Sequence, residues 1–318
     1  MVTRNDVARK AGVSVAVVSY VMNNKNNVKP ETRQKVLKAM EDLHYMPNPT
    51  ARSLKTQKTN QLAVLVNYLG NPFEAGILLH LEEEARAWGF SLVFQSYRHD
   101  RDEALKQLAV DGIILLGQSL REETLRFFAR RNTPIVSITK PTNAESAHPV
   151  PYVDIDWLES YGKVVRLLIA HGHDDIVFMT HGDENSALHH RTEAFCLAIA
   201  EQGLSEHQLH LLYGGGRYEN ARQCINEIAE TGRFPYTAIQ CANDLMAIGV
   251  LSALKEHGIG VPGQVSLVGS ENILMTSETE PAIASIHFPR AEAAKQALIL
   301  LNQLLQSGDK AIGSIILE

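Results

Sequence analysis

The sequence predicts an all-α helix-turn-helix head followed by an α/β body of two lobes, each built on a doubly wound parallel sheet. Three observations predict it. The first 60 residues are basic and place apolar side chains at helical spacing. From Asn60 onward short β-rich runs alternate with helical segments, and the alternation pauses after Asp154 to restart at Ile176. Alternating βα units imply parallel sheets covered by helices on both faces, and two sets of them imply two lobes.

Length and charge agree with this division. A chain of 318 residues has room for two or three cores. Residues 1–60 hold eleven Lys and Arg against four Asp and Glu, a surplus of seven; the rest holds nineteen against thirty-two, a deficit of thirteen. A basic head on an acidic body points to a polyanion for the head and keeps the body away from it. The longest apolar runs, such as Gln61–Val66 and 112–117, fall far short of the ~20 residues of a membrane span. No secretory signal opens the chain, and three widely spaced cysteines suit reduced thiols. A soluble protein of the cytoplasm is expected.

In the head, Thr3 with Asp6 forms a capping-box pattern for a first helix that carries Val7, Ala8 and Ala11 inward and ends at Gly12. Ser14 is placed to cap a second helix, from Val15 to about Met22, with Val18 and Val21 turned inward. Two short helices joined by a glycine-containing turn are the helix-turn-helix arrangement. Pro30 suits the first position of a third helix, for which Val36, Leu37, Met40 and Leu43 are the expected apolar stripe, and Pro47 and Pro49 stop it. The stretch 48–60 is polar and basic. Within it residues 51–55 are able to form one short helix whose single large apolar residue is Leu54.

In the body the expected strands are Gln61–Val66, 90–95, 111–116, 134–138 and 152–154, then Ile176–Thr180, Leu209–Tyr213, Ala238–Cys241 and 266–268. Helices are expected over 74–88, 102–109, 121–131 and 290–306. Ligands of such sheets bind beyond the carboxyl ends of the strands, which here means the cleft between lobes. Competing chemistries lack their signatures. His171, His173, His181, His189 and His190 show no His-Glu-x-x-His or Cys-x-x-Cys spacing, Gly214-Gly215-Gly216 is followed by no Walker lysine, and no Gly-x-Ser-x-Gly elbow occurs. No metal, no cofactor and no enzymatic activity are expected.

The wording of these segments is specific. Asp6-Val7-Ala8, Ala11-Gly12-Val13-Ser14, Val18-Ser19, Glu31-Thr32-Arg33, Pro47-Asn48 and Ala51-Arg52-Ser53-Leu54 resemble the lactose-repressor (LacI/GalR) family of bacterial transcription regulators. So do Asn71-Pro72-Phe73, Val110-Asp111-Gly112-Ile113-Ile114, His171-Gly172-His173, Arg191, Ala242-Asn243-Asp244-Leu245-Met246-Ala247-Ile248-Gly249 and Val265-Ser266-Leu267-Val268-Gly269, in family order from about residue 4 to 290.

The resemblance implies a head at 1–47, a hinge at 48–60, and a periplasmic-binding-protein-like type I body at 61–318. Lobe 1 would span 61–156 and 289–318 and lobe 2 157–288, with three crossings between them, the last near His287–Pro289. It implies that Val15, Ala16 and Tyr20 read base edges, with Ser19 near phosphate and Thr3, Ser14, Val17 and Asn23 in the contacting set. Val15 and Ala16 offer only apolar contact, for example to a thymine methyl. Many relatives carry Arg at the position of Tyr20 and Thr at that of Val17, so the operator should differ from the commonest family palindrome. Tyr20 either touches a base or packs. Ala51, Arg52, Leu54 and Lys55 would form the hinge helix, with Leu54 of each protomer wedged into the minor groove.

For the body the resemblance implies an effector pocket of Phe73, Glu74, Arg191, Asn243 and Glu271, with Tyr218 as a stacking ring. Glu271 stands where many relatives carry Asp, and Asn272 where they carry a second Asp. Glu74 and Glu271 weigh against an anionic ligand, and family frequency favours a sugar. The partners implied are a palindromic double-stranded operator, a small effector and a second copy of the chain; no leucine heptad of a tetramer follows the body. The alternatives are a cytoplasmic sugar-binding protein or a sugar-active enzyme on the same fold. The short C-terminus, ending Ile315-Ile316-Leu317-Glu318, predicts that a final edge strand is missing.

Overall fold

The computed structural model of the chain describes residues 2–22, 25, 27–46, 58–97, 102–141, 147–182, 189–204, 208–307 and 313–317. Two compact units result, Met1–Thr59 and Asn60–Glu318.

The first unit holds α1 (Arg4–Ala11), α2 (Val15–Met22) and α3 (Pro30–Asp42). The capping box at α1 is reciprocal: the Asp6 N–H donates to Thr3 Oγ1 (3.4 Å) and the Thr3 N–H donates to Asp6 Oδ2 (2.9 Å). Gly12, at φ +67°, ends the helix in a left-handed turn that costs glycine little. The Val17 N–H donates to Ser14 Oγ at 3.4 Å, capping α2. Val7, Ala8, Val18, Val21, Val36 and Ala39 are buried together. The apolar stripe of α3 differs from expectation by one residue: Leu37 is 51% exposed and Ala39 is buried in its place. Val36, Ala39, Met40 and Leu43 keep the i, i+3, i+4, i+7 spacing that Leu37 breaks. The Arg33 guanidinium donates to the carbonyls of Val21 (3.5 Å) and Lys25 (2.8 Å), tying α3 to the end of α2.

The second unit contains β1 (Gln61–Val66), α4 (Pro72–Ala87), β2 (Ser91–Ser96), α5 (Asp102–Lys106), β3 (Gly112–Leu115), α6 (Glu122–Arg130), β4 (Ile135–Ile138) and β5 (Tyr152–Ile155). It continues with α7 (Trp157–Ala170), β6 (Ile176–Thr180), α8 (His189–Glu201), β7 (Leu209–Tyr213), α9 (Tyr218–Ala229), β8 (Ala238–Cys241) and α10 (Asp244–Glu256). β9 (Ser266–Glu271), α11 (Leu274–Ser277), β10 (Ala284–His287), α12 (Arg290–Ser307) and β11 (Ile315–Leu317) complete it. Two sheets form, in the orders β11-β5-β4-β3-β1-β2 and β10-β9-β8-β6-β7, and every pairing in them is parallel. Their central strands are buried along their length (Leu62–Val66, Ile113–Leu115, Ile176–Met179), as strands covered on both faces must be.

The structure corrects four expectations. A final edge strand is present: Ile315–Leu317 pairs with Val153–Ile155. β10, half-exposed and polar at Ser285 and His287, carried too weak a pattern to be expected as a strand. β9 runs on to Glu271, three residues past the expected end, because Gly269, Ser270 and Glu271 are buried despite their polarity. Among the described residues the chain passes between the sheets twice, after β5 and after β10, not three times; α12 then packs on α4 and β4 of the first sheet. No helix among the described residues is long and apolar enough to cross a membrane.

Candidate functional site

Between the carboxyl ends of the two sheets lies a cavity of about 240 Å³. From the first sheet Asn67, Tyr68, Asn71, Phe73 and Glu74 approach it after β1, Leu116 after β3 and Thr139 after β4. From the second come His181 after β6, Arg191 in the first turn of α8, Gly215, Gly216 and Arg217 after β7, Asn243 after β8 and Glu271 at the end of β9. Phe73, Glu74, Arg191, Asn243 and Glu271 are thus brought to one cavity.

Arg191 has no exposed surface. Its Nη1 donates to the Ala242 carbonyl (2.7 Å) and to Glu271 Oε1 (3.0 Å). Its guanidinium carbon lies 4.1 Å from the centroid of the Trp157 ring and 6.0 Å from that of Phe73, a cation–π arrangement inside the protein. Nε and Nη2 have no partner among the described residues. A buried N–H without an acceptor costs free energy.

Glu271 occupies a non-glycine position at φ +129°, with Asn272 following at φ +52°. The kink is held from behind: Arg290 donates from Nη1 to the Glu271 carbonyl (2.7 Å) and from Nη2 to the Asn272 carbonyl (3.0 Å). Backbone strain of this kind persists only where its surroundings impose it. Burial pushes the Glu271 carboxyl up to about 8 even though Arg191 pulls it down. Glu74, at the first turn of α4, is raised by burial too. Its oxygens accept from the Asn67 N–H (3.1 Å), the Asn67 amide (3.0 Å) and the Tyr68 N–H (3.2 Å), so this carboxylate holds the β1–α4 turn in shape.

Asn243 has two tasks. Its Oδ1 accepts from the Met246 N–H (2.8 Å), capping α10, and its Nδ2 donates to the Gly216 carbonyl (3.1 Å) and lies 3.3 Å from His181 Nε2. A Cβ on Gly216 would come within 2.8 Å of the His181 ring, so close approach of this turn requires glycine there. His181 is held well below the usual histidine range, first by burial and then by the Arg191 charge.

Tyr218 is a correction. It does not line the cavity; its hydroxyl donates to Ser252 of α10 at 3.0 Å. The turn after β7 presents Arg217 instead, 4.6 Å over the ring of Tyr68, so the aromatic ring at this edge comes from the first sheet. Sequence reasoning also missed His181, Asn67, Asn71 and Thr139. The rule that ligand groups gather at strand ends would have found His181 and Thr139, each directly after a strand, had it been applied to every strand.

In the first unit Val15 and Tyr20 are 39% and 38% exposed and Ala16 is exposed, whereas Val17 and Ser19 are half-buried. Tyr20 therefore does not pack inward; Lys25 Nζ lies 5.4 Å from its ring centroid. Thr3 and Ser14 are exposed. Asn23, Ala51, Arg52, Leu54 and Lys55 lie outside the described residues.

Comparison with known proteins bears on both units. Residues 3–48 match the family described as "Bacterial regulatory proteins, lacI family", and residues 165–318 match "Periplasmic binding protein-like domain". Catabolite control protein A of Priestia megaterium is 30% identical over 312 residues, 96% of this chain and 92% of that protein. The HTH-type transcriptional repressor PurR of Vibrio campbellii is 32% identical over 308 residues, 95% of this chain and 91% of that protein. The lac repressor dimer bound to operator and the anti-inducer ONPF superposes with a TM-score of 0.83 at 25% identity, covering 99% of this chain and 96% of that one. A complex of the transcriptional regulator CelR with cellobiose gives 0.72 at 26% identity, covering 100% and 97%.

Proposed function

Since the chain belongs to the lactose-repressor family of DNA-binding transcriptional repressors, we propose that it is a ligand-responsive regulator which binds a palindromic operator as a dimer and is switched by a small effector in the cavity between its two sheets. The observation that carries this reading is Arg191: a wholly buried guanidinium with two donors unpaired among the described residues, on the wall of a cavity at the strand carboxyl ends. Proteins hide a charge with open hydrogen bonds where a ligand completes them. At about 240 Å³ the cavity lies just below the ~300–1,000 Å³ of drug-sized sites, so the effector is about one sugar ring in size and the regulated genes serve carbohydrate use. The CelR and lac repressor complexes, which hold cellobiose and ONPF, support a sugar-like class.

On the DNA side, Val15, Ala16 and Tyr20 of α2 face outward and supply the base contacts. Apolar contact from Val15 and Ala16 favours thymine methyls at the facing positions. Thr3, Ser14, Val17, Ser19 and Asn23 support them along the backbone. Residues 51–55, with Leu54 as wedge, fold into a hinge helix only on DNA, because so short a helix is unstable alone. Effector binding acts by changing the spacing of the two hinges in a dimer.

The test is selection of sites from random duplex DNA with the full-length protein, followed by binding at graded salt. A two-fold symmetric site whose affinity falls steeply with salt is expected. Leu54→Ala should weaken that site and leave random DNA nearly unaffected; equal loss on both would remove the wedge from the scheme. Absence of any symmetric site would remove the dimeric operator.

A further inference from the structure

The hydrogen-bond inventory of the cavity is lopsided, and the imbalance describes the ligand. On the acceptor side most groups are taken, the exceptions being Glu271 Oε2 and the Thr139 hydroxyl, which has no partner among the described residues. The Glu74 oxygens are taken by Asn67 and Tyr68, Asn243 Oδ1 by the cap of α10, the Ala242 carbonyl by Arg191 and the Gly216 carbonyl by Asn243. On the donor side Arg191 leaves Nε and Nη2 unpartnered among the described residues. These two N–H groups share one edge of the guanidinium, the edge whose parallel donors match the two oxygens of a carboxylate.

His181 adds a third donor. The α10 cap fixes which atom of the Asn243 amide is oxygen, since Oδ1 must accept from the Met246 N–H. Nδ2 therefore donates, one hydrogen to the Gly216 carbonyl and the other to His181 Nε2. Nε2 is thus the acceptor of a neutral ring, and the ring proton sits on Nδ1. That Nδ1, buried and without a partner among the described residues, is an open N–H of a residue that lines the same cavity as Arg191.

We propose that the effector carries a carboxylate, which docks side-on against the Nε and Nη2 edge of Arg191 with the Nδ1–H of His181 beside it. The proposal rests on the reading that this cavity holds the effector. It also revises the expectation that Glu74 and Glu271 disfavour an anion. Glu74 is enclosed by Asn67 and Tyr68, Glu271 Oε1 is engaged by Arg191, and burial raises both carboxyls toward the neutral form. A plain sugar hydroxyl would use one of these three donors and leave the other two open. The chemical class is a small hydroxy acid or sugar acid, such as a uronate or aldonate.

The test is calorimetric titration of the full-length protein with matched pairs: D-glucuronate against D-glucose, D-galacturonate against D-galactose, with D-glucose 6-phosphate and neutral nucleobases as further arms. The expected result is that an acid binds at least about tenfold more tightly than its neutral partner, a gap of about 1.4 kcal/mol. His181→Leu should narrow the acid-to-neutral ratio and His181→Asn should restore it, since the amide keeps a donor near the Nδ1 position. Arg191→Lys keeps the charge and loses the paired donors, and should narrow the ratio further; unliganded melting curves identify any variant that fails to fold. A neutral sugar, a nucleobase or the phosphate binding as tightly as the acids overturns the carboxylate and leaves the sensor intact. No binding by any probe, with DNA binding unchanged by all of them, overturns both.

Discussion

The outward face of α2 and the cavity of the body break the same rule in opposite directions. On α2, Val15, Ala16 and Tyr20 stand in solvent, while in the body Arg191, Glu271, Glu74, Asn243 and Asp244 are enclosed. Exposed apolar side chains on so small a unit expect a surface to cover them, and enclosed charges with open donors expect a ligand to pair with them. On the function proposed above, the head keeps its recognition residues outside its core, where substitutions leave folding alone, and the body makes its ligand groups part of its core, where they also hold the fold. Stability measurements should separate the two regions cleanly.

The largest effect is expected at Arg191. Arg191→Ala leaves Glu271 and the Ala242 carbonyl without their donor and strips the face of Trp157. Where Glu271 is ionised, breaking a buried pair in this way costs about 3–5 kcal/mol, read by urea unfolding of the body transition. The pH dependence follows from the sign of the Glu271 shift. Its folded carboxyl titrates at about 8 against a reference of 4.5, so its contribution is full below 4.5 and is lost as pH rises through 8. Without Arg191 the carboxyl rises further, so the deficit should be small near about pH 5 and largest near about pH 9. A deficit independent of pH would assign the loss to packing alone.

Asn243 comes next. Asn243→Ala removes the cap of α10 and the donors to Gly216 and His181, an expected loss of about 2 kcal/mol. Asn243→Asp keeps the cap acceptor and loses only the donors, so it should recover about 1 kcal/mol of this while still failing to orient His181. If the two variants unfold alike, the amide matters only through its donors.

This contrast also explains what the sequence could convey. The strand-helix alternation, the capping box, the helix-start position of Arg191 and the strand-end position of Asn243 are local patterns, and they were legible. Tyr218 was misplaced because the register through Gly214-Gly215-Gly216 depends on how that turn bends, and the bend brings Arg217 to the cavity. The end of β9 was hidden because its buried residues are polar, so a hydrophobicity pattern stops at Val268 where the strand does not. Glu74 was legible as a cavity residue but not as the clamp of its own turn, since that role belongs to the backbone of Asn67 and Tyr68.

On the head, Thr3→Ala removes the hydroxyl that accepts from the Asp6 N–H and donates to Asp6 Oδ2, while the backbone half of the box remains; it should cost about 1 kcal/mol, read as a lower melting temperature of the head transition with the body transition unmoved. Asp6→Asn tests the same device from its other end. It keeps an acceptor for the Thr3 N–H but loses the charge beside the first turn, so it should cost less than Thr3→Ala.

The smallest stability change belongs to Tyr20. It is exposed, and its ring lies against Lys25. Tyr20→Ala should therefore alter head stability by less than about 0.5 kcal/mol, within the range of ordinary surface substitutions. Its effect on recognition should be larger: if Tyr20 reads a base edge, the preference for the selected site over the same site with one facing base pair changed should shrink by about 1–3 kcal/mol. Binding to random DNA, governed by phosphate contacts, should stay nearly constant. A head destabilised as much as by Thr3→Ala would show Tyr20 to be part of the fold. An unchanged preference would move recognition onto Val15 and Ala16, whose apolar contacts would then carry it alone.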